Sequence, residues 1–273
     1  MTTEQAAVNG ISITFEDKGP RDAPVILLVM GLGGQLTLWP DEFVDALNAR
    51  GFRTIRYDNR DVGLSTRFDA AGVPNLKWMF VKSLLRLPVR SAYTLADMAA
   101  DGVALLDHLG IARAHIVGVS MGGMISQHIA ARYPDRVLSL TSVMSTTGNP
   151  RLPRAQKEAM QVLTSRPMSG DPEDLIAYSV RAAKVIGSPG YPPDEERLQR
   201  RVRSDFERGW YPQGVARQMA AIVADGDRRP MLKSIGAPTL VIHGESDPLV
   251  PLAGGRDTAD NIPGARLLTI PGM

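Results

Sequence analysis

Residues 24–30 read Pro-Val-Ile-Leu-Leu-Val-Met, an apolar run without a polar break, and glycines follow at positions 31, 33 and 34. A strand with one wet face alternates apolar and polar residues. One that is apolar throughout must be covered on both faces. The run is far shorter than the ~20 residues of a membrane helix. Around it the pattern switches repeatedly between strand and helix. Residues 8–16 alternate, with a turn signal at Asn9-Gly10 that predicts a hairpin. Residues 39–50 have helical spacing (Phe43, Leu47) and stop at Gly51, and residues 53–57 read as a strand. A helix is predicted over 94–109, with Thr94 and Asp97 placed as a capping box and Leu95, Met98, Leu105 and Leu109 on one side. Strands are predicted at 114–119, 137–144, 238–243 and 266–270, and a helix at 121–132. Strand and helix in alternation predict the α/β class: a mostly parallel sheet with helices on both faces.

Two stretches interrupt the alternation, residues 67–93 and 148–230. The second is helical in pattern and punctuated by Pro150, Pro167, Pro172, Pro189, Pro192 and Pro193. The predicted organisation is a core over 1–147, a helical cap insertion over 148–230, and the rest of the core over 231–273. Such an insertion covers the C-terminal edge of the sheet, where open α/β sheets bind ligands. Residues 75–90 are amphipathic, with Lys82, Ser83, Arg86 and Arg90 on one face and Leu76, Phe80, Leu84 and Leu87 on another. A cap helix over the pocket is the preferred reading, ahead of contact with a membrane surface. Trp78, Met79, Phe80, Tyr178, Trp210, Tyr211 and Met219 suggest an apolar acyl or ring pocket, although such residues often only fill a core.

Composition closes several routes. There is no cysteine, which excludes disulfides, thiolate catalysis and cysteine metal sites. A formal charge of +2 does not describe a nucleic-acid surface. Residues 1–10 show no basic region leading into an apolar core, so a cytoplasmic protein is expected.

The chemistry gathers at Gly118-Val119-Ser120-Met121-Gly122. This is G-x-S-x-G between a predicted strand and a predicted helix, the context of a nucleophile elbow. Small flanking residues permit the tight turn, and the helix N-terminus lends positive potential to a developing oxyanion. An oxyanion hole needs two N–H donors. The predicted pair is Met121, directly after the nucleophile, and Leu32 in the glycine loop that ends the first apolar strand. The acid is predicted at Asp247, past a later strand, with Glu245 as a nearby rival. The base is the difficulty. The histidines are His108, His115, His128 and His243. The first three are predicted to lie away from Ser120, and His243 precedes Asp247, whereas an elbow of this type takes its base after the acid.

The chain resembles the α/β-hydrolase superfamily along nearly its whole length. Within it, residues 28–31 (Leu-Val-Met-Gly), 39–43 (Trp-Pro-Asp-Glu-Phe), 56–65 (Arg-Tyr-Asp-Asn-Arg-Asp-Val-Gly-Leu-Ser), 118–122 and 270–273 (Ile-Pro-Gly-Met) look like the esterases related to aclacinomycin methylesterase. In those relatives the terminal motif continues Gly-His, and that His is the base. By resemblance it falls at the second residue beyond Met273, so the chain looks truncated before its base and before a C-terminal helix that closes the sheet. As given, it is expected to be impaired. Met30 stands where the superfamily usually has His, as in those relatives. The resemblance implies a carboxylic ester hydrolase acting on a small molecule through an acyl-enzyme, with no cofactor and no metal. Lactone or thioester hydrolysis and cofactor-free peracid formation use the same apparatus. Dehalogenases and epoxide hydrolases resemble the fold but carry Asp at the nucleophile position. A catalytically dead scaffold that binds a small apolar ligand is the rival of another class. Residues 58–65 are read as a polar clasp for the loop after a strand.

Overall fold

The run at 24–30 is covered on both sides in the computed structural model, which is described for residues 3–85, 87–165 and 170–273, without the side chain of Leu84. Arg86 and Pro167, used in the sequence reading, lie outside the described residues. Val25, Leu27 and Val29 enter one large apolar cluster, and Ile26, Leu28 and Met30 enter a second cluster on the opposite face with Trp39 and Val44. The unbroken apolar run is the direct consequence of this two-sided burial.

Eight strands are formed: β1 (Glu4–Val8), β2 (Ile11–Lys18), β3 (Val25–Val29), β4 (Arg53–Tyr57), β5 (Ala114–Val119), β6 (Val137–Val143), β7 (Thr239–Gly244) and β8 (Arg266–Ile270). They make one sheet in the order β1-β2-β4-β3-β5-β6-β7-β8. The pairs β1–β2 and β2–β4 are antiparallel and the rest are parallel. The first hairpin turns through Asn9 and Gly10, both at positive φ, as its twist demands. The helices are α1 (Asp41–Asn48), α2 (Leu76–Leu84), α3 (Leu95–His108), α4 (Met121–Arg132), α5 (Lys157–Thr164), α6 (Pro172–Ile186), α7 (Glu195–Gly209), α8 (Pro212–Asp225), α9 (Arg229–Leu232) and α10 (Leu252–Asn261). Helices α3 and α4 bury Leu95, Met98, Leu105, Ile125 and Ile129 in the larger cluster, while α1 covers the other face through Val44. Thr94 and Asp97 close the expected capping box.

Three differences from the sequence reading have physical causes. Helix α1 starts after Pro40, which takes the N-cap, so Trp39 stays extended and stacks on Phe43 at 5.6 Å. Among the described residues of 75–90, Leu76–Leu84 form a helix, shorter than the amphipathic stretch, with Met79 buried, Leu76 half-buried, and Phe80 and Leu87 exposed. Helix α10 is an element the sequence reading lacked, because Gly254-Gly255 reads as a break. Those glycines sit in a helix because a Cβ at Gly255 would lie 2.5 Å from His243 Nδ1.

Strand order reverses beside β3: the chain steps from β3 to β4 on one side, then returns to β5 on the other. In such sheets ligands bind at this switch point, outside the carboxyl ends of the strands. Those ends are Val29 and Val119.

Candidate active site

Register brings the two loops together. Val29 pairs with Gly118, so the chain leaves β3 and β5 side by side. Ser120 fills the single position between β5 and α4, with φ 55° and ψ −119°. Strained backbone of this kind persists only where the surroundings hold it. Here the Ser120 N–H donates to Val143 O at 2.9 Å, and the Ser145 hydroxyl donates to Ser120 O at 2.8 Å. The glycines on either side are required by space. A Cβ at Gly118 would run into Gly122 and Ser126, and one at Gly122 into the Val29 carbonyl.

The glycine loop after β3 lies against this turn. The position a Gly31 Cβ would take is 3.2 Å from Ser120 Cβ and 3.7 Å from its Oγ. Gly34 N–H donates to Gly31 O (3.1 Å), and Gly33 N–H donates to Gln218 Oε1 (2.8 Å). Asn59 Nδ2 holds the end of the strand by donating to Met30 O (2.9 Å). Among the described residues, the N–H groups of Leu32 and Met121 have no acceptor. Two free donors thus come from the two loops that meet at Ser120.

Asp247 lies beyond β7. Its Oδ1 accepts from Leu249 N–H (2.9 Å) and Val250 N–H (2.8 Å), and its Oδ2 is 3.8 Å from His243 Nε2. His243 is fully buried and pairs through Nε2 with Val250 O at 2.7 Å. Glu245 is exposed and accepts from the Thr269 hydroxyl at the sheet edge (2.8 Å). Met273 lies against the same loop, where the Ser246 N–H donates to its carbonyl oxygen at 2.6 Å.

The other histidines are engaged elsewhere. His108 is exposed and meets Phe15 edge-on. His115 pairs with the Ser139 hydroxyl at 2.8 Å, and burial holds its pKa below the usual value. His128 pairs with Asp225 at 2.8 Å. Among the described residues, no histidine reaches Ser120 Oγ.

Residues that sequence reasoning passed over hold the site from α7 and α8. Gln218 bridges Gly33 N–H and Arg60 O, the latter at 2.8 Å. Arg208 pairs with Asp58 (2.8 Å), whose carboxylate also accepts Leu36 and Leu64 N–H groups. Burial pushes the Asp58 carboxyl above its ordinary range, against the pull of Arg208 and those two donors. Arg217 grips Asp61 with two bonds of 2.8 Å. The polar groups of 58–65 therefore do clasp a loop. No spacing rule could announce their partners, which lie roughly 150 positions away in sequence. The aromatic and methionine candidates for the pocket divide. Met79 and Met219 are buried, Trp78, Phe80 and Trp210 are exposed, and the hydroxyls of Tyr178 and Tyr211 are spent on Val162 O and on Asp69 and Arg217. A cleft of about 650 Å³ opens between α6 and α7 over Ile176 and Val180, away from the Ser120 loops.

A strained Gly-x-Ser-x-Gly turn at the switch point of a mostly parallel sheet defines a class, and the comparisons agree with it. A family model described as the alpha/beta hydrolase fold matches residues 24–273, and the chain belongs to that family. Its class is that of hydrolases. The relatives include the rhodomycin D methylesterase DauP of Streptomyces sp. (strain C5), 30% identical over 297 residues, covering 100% of this chain and 92% of that protein. The 3-oxoadipate enol-lactonase 2 of Acinetobacter baylyi is 26% identical over 252 residues, covering 92% of this chain and 82% of its own. Among solved structures, the enol-lactonase from Burkholderia xenovorans LB400 superposes with a TM-score of 0.71 at 28% identity, covering 98% of this chain and 91% of its own. No helix of the described residues is long and apolar enough to cross a membrane.

Proposed function

We propose that the protein is a serine carboxylic ester hydrolase acting on a methyl or similarly small ester of an organic molecule. The observation that carries this reading is Ser120 at positive φ between β5 and α4, with two unpaired N–H groups in the loops that meet there. Ser120 Oγ attacks the ester carbonyl and transfers its proton to the base. The Leu32 and Met121 N–H groups hold the oxyanion of the tetrahedral intermediate. Collapse expels the alcohol, which takes the proton back from the base. Water repeats the sequence on the acyl-enzyme and releases the acid. A lactone offers the same carbonyl, and hydrolysis then opens the ring. Asp247 orients the base. In the family pattern the base is a histidine that follows the acid. The insertion 148–230 serves as the cap over these groups.

A fluorophosphonate probe on the native full-length protein tests the assignment. Ser120 is expected to be labelled, and Ser120→Ala should lose labelling together with roughly 10⁶ in kcat for a methyl ester. Labelling that survives the substitution, or a native protein inert toward both probe and esters, removes the proposal.

A further inference from the structure

Between Asp69 and Asp97 the chain carries no acidic residue, yet it carries Lys77, Lys82, Arg86 and Arg90. The same stretch is where apolar side chains meet water. Among the described residues, six of the fourteen exposed large hydrophobic side chains fall in positions 73–87: Val73, Trp78, Phe80, Val81, Leu85 and Leu87. Trp78 is 53% exposed and Leu85 62%. Scattered exposed apolar residues are ordinary, but a contiguous group of this size marks a contact surface. Helix α2 turns Met79 inward and leaves Trp78, Phe80 and Val81 exposed; Lys82 Nζ stands 5.7 Å from the centroid of the Trp78 ring.

We infer that α2 forms an interfacial element that docks the protein on an anionic lipid surface. The composition selects this occupant. Apolar and aromatic side chains beside lysines, with no acid among them, suit the boundary between acyl chains and negative headgroups. Tryptophan is favoured at that depth because its ring is amphipathic. A second copy of the chain is a poor occupant, because an isologous contact sets a basic patch without an acidic residue of its own against the same patch. Nine residues of helix span only about 14 Å, so the element lies in the surface and does not cross it. The placement has a consequence for access. Helix α2 packs on α8. Helix α8 in turn presents Val215 and Gln218 to Gly33. One helix thus separates the docking surface from the loop beside Ser120, a short path for an ester dissolved in lipid.

Sedimentation with vesicles tests the inference without reference to catalysis. The native protein is expected to pellet with phosphatidylcholine vesicles that contain phosphatidylglycerol and to stay in solution with pure phosphatidylcholine. Lys77→Gln/Lys82→Gln removes two charges, each contributing about 1 kcal/mol near such a surface, and should weaken partitioning about 30-fold. Trp78→Ser/Phe80→Ser should abolish it. Because Lys77, Trp78 and Phe80 are exposed and Lys82 is half-buried beside the Trp78 ring, both variants should keep the parent melting temperature, which separates lost docking from lost fold. In a Trp210→Phe background, Trp78 emission should shift to the blue on adding the anionic vesicles. The inference is overturned if the native protein ignores anionic vesicles, if it binds both compositions alike, or if either pair of substitutions leaves partitioning unchanged. It is equally overturned if Trp78→Ser/Phe80→Ser dissolves a homodimer of a protein that binds no vesicle.

Discussion

At the scale of single residues, the division of labour between Glu245 and Asp247 is decided by their surroundings. Both follow β7, and sequence order alone admits either. The Asp247 carboxylate is fixed by two backbone donors at Oδ1 and keeps Oδ2 for a further partner, while Glu245 is exposed and turned to Thr269 at the sheet edge. Asp247→Asn should therefore leave the fold intact and lower kcat on the order of 10⁴, as loss of the orienting carboxylate does in other triads. Glu245→Gln should change kcat by less than about tenfold, since an exposed side chain away from the nucleophile bears little transition-state charge. Steady-state kinetics on an ester substrate checks both, and damage from Glu245→Gln alone would exchange the roles. The turn at Ser120 was legible because one short motif carries the strand end, the serine and the start of the helix together. No base was legible, because His115, His128 and His243 each bond a local partner and His108 is exposed beside Phe15.

At the scale of elements, the strands were legible and the anchors of the long insertion were not. Continuous or alternating apolar runs report burial directly, so β3, β5, β6, β7 and β8 lie within a residue or so of their predicted limits. Spacing within 75–90 failed because it reveals an amphipathic face without saying what, if anything, covers it. Long-range ion pairs leave no local trace at all. The pair Arg217–Asp61, which fastens α8 to the loop after β4, is buried on both sides, and Arg217 also donates to Gly72 O (2.7 Å) and Tyr211 (2.6 Å). Removing one partner strands the other charge, at about 3–5 kcal/mol. Arg217→Met should thus lower the melting temperature by about 10 °C. Adding Asp61→Asn should restore part of the loss, because Asn tolerates the φ of 66° at that position and still accepts the Phe68 N–H. A second anchor is sensitive to pH. Burial raises the Asp205 carboxyl above its ordinary value even though it accepts the Thr37 hydroxyl at 2.5 Å. A carboxyl whose folded pKa is raised contributes stability below its unfolded value near 3.9, and that contribution is lost as pH rises through the folded pKa. Asp205→Asn keeps the acceptor without the charge. Its melting temperature should exceed the parent's at pH 7, with the gap closing toward pH 4. A gap that widens on acidification would show that the carboxylate is stabilised in the folded state.

Over the whole molecule, apolar burial is unequal, and the inequality predicts how the protein opens. The larger cluster runs without interruption from β2 through β3, β5 and α4 to Leu232 and Ile262. Helices α6 and α7 share a separate small cluster of Ile176, Val180 and Leu198. What ties α7 downward is polar: Arg208 to Asp58, and Asp205 to Thr37 and Gln35. Local unfolding draws on regions with few buried apolar contacts. Helices α5, α6 and α7 should therefore open as a unit at a free energy well below that of global unfolding, while α8, held by Arg217 and Gln218, should exchange with the core. The insertion reads from the sequence as ending at residue 230, whereas the energetic boundary falls near Trp210, between α7 and α8. Native-state hydrogen exchange read by mass spectrometry distinguishes the two. Peptides from 157–209 should lose protection first at low denaturant, peptides from 212–225 should follow β3, β5 and α4, and Arg217→Met should move α8 into the early group. Protection of α6 equal to that of β5 would mean that the insertion and the sheet unfold as one, and the boundary near Trp210 would have no energetic meaning.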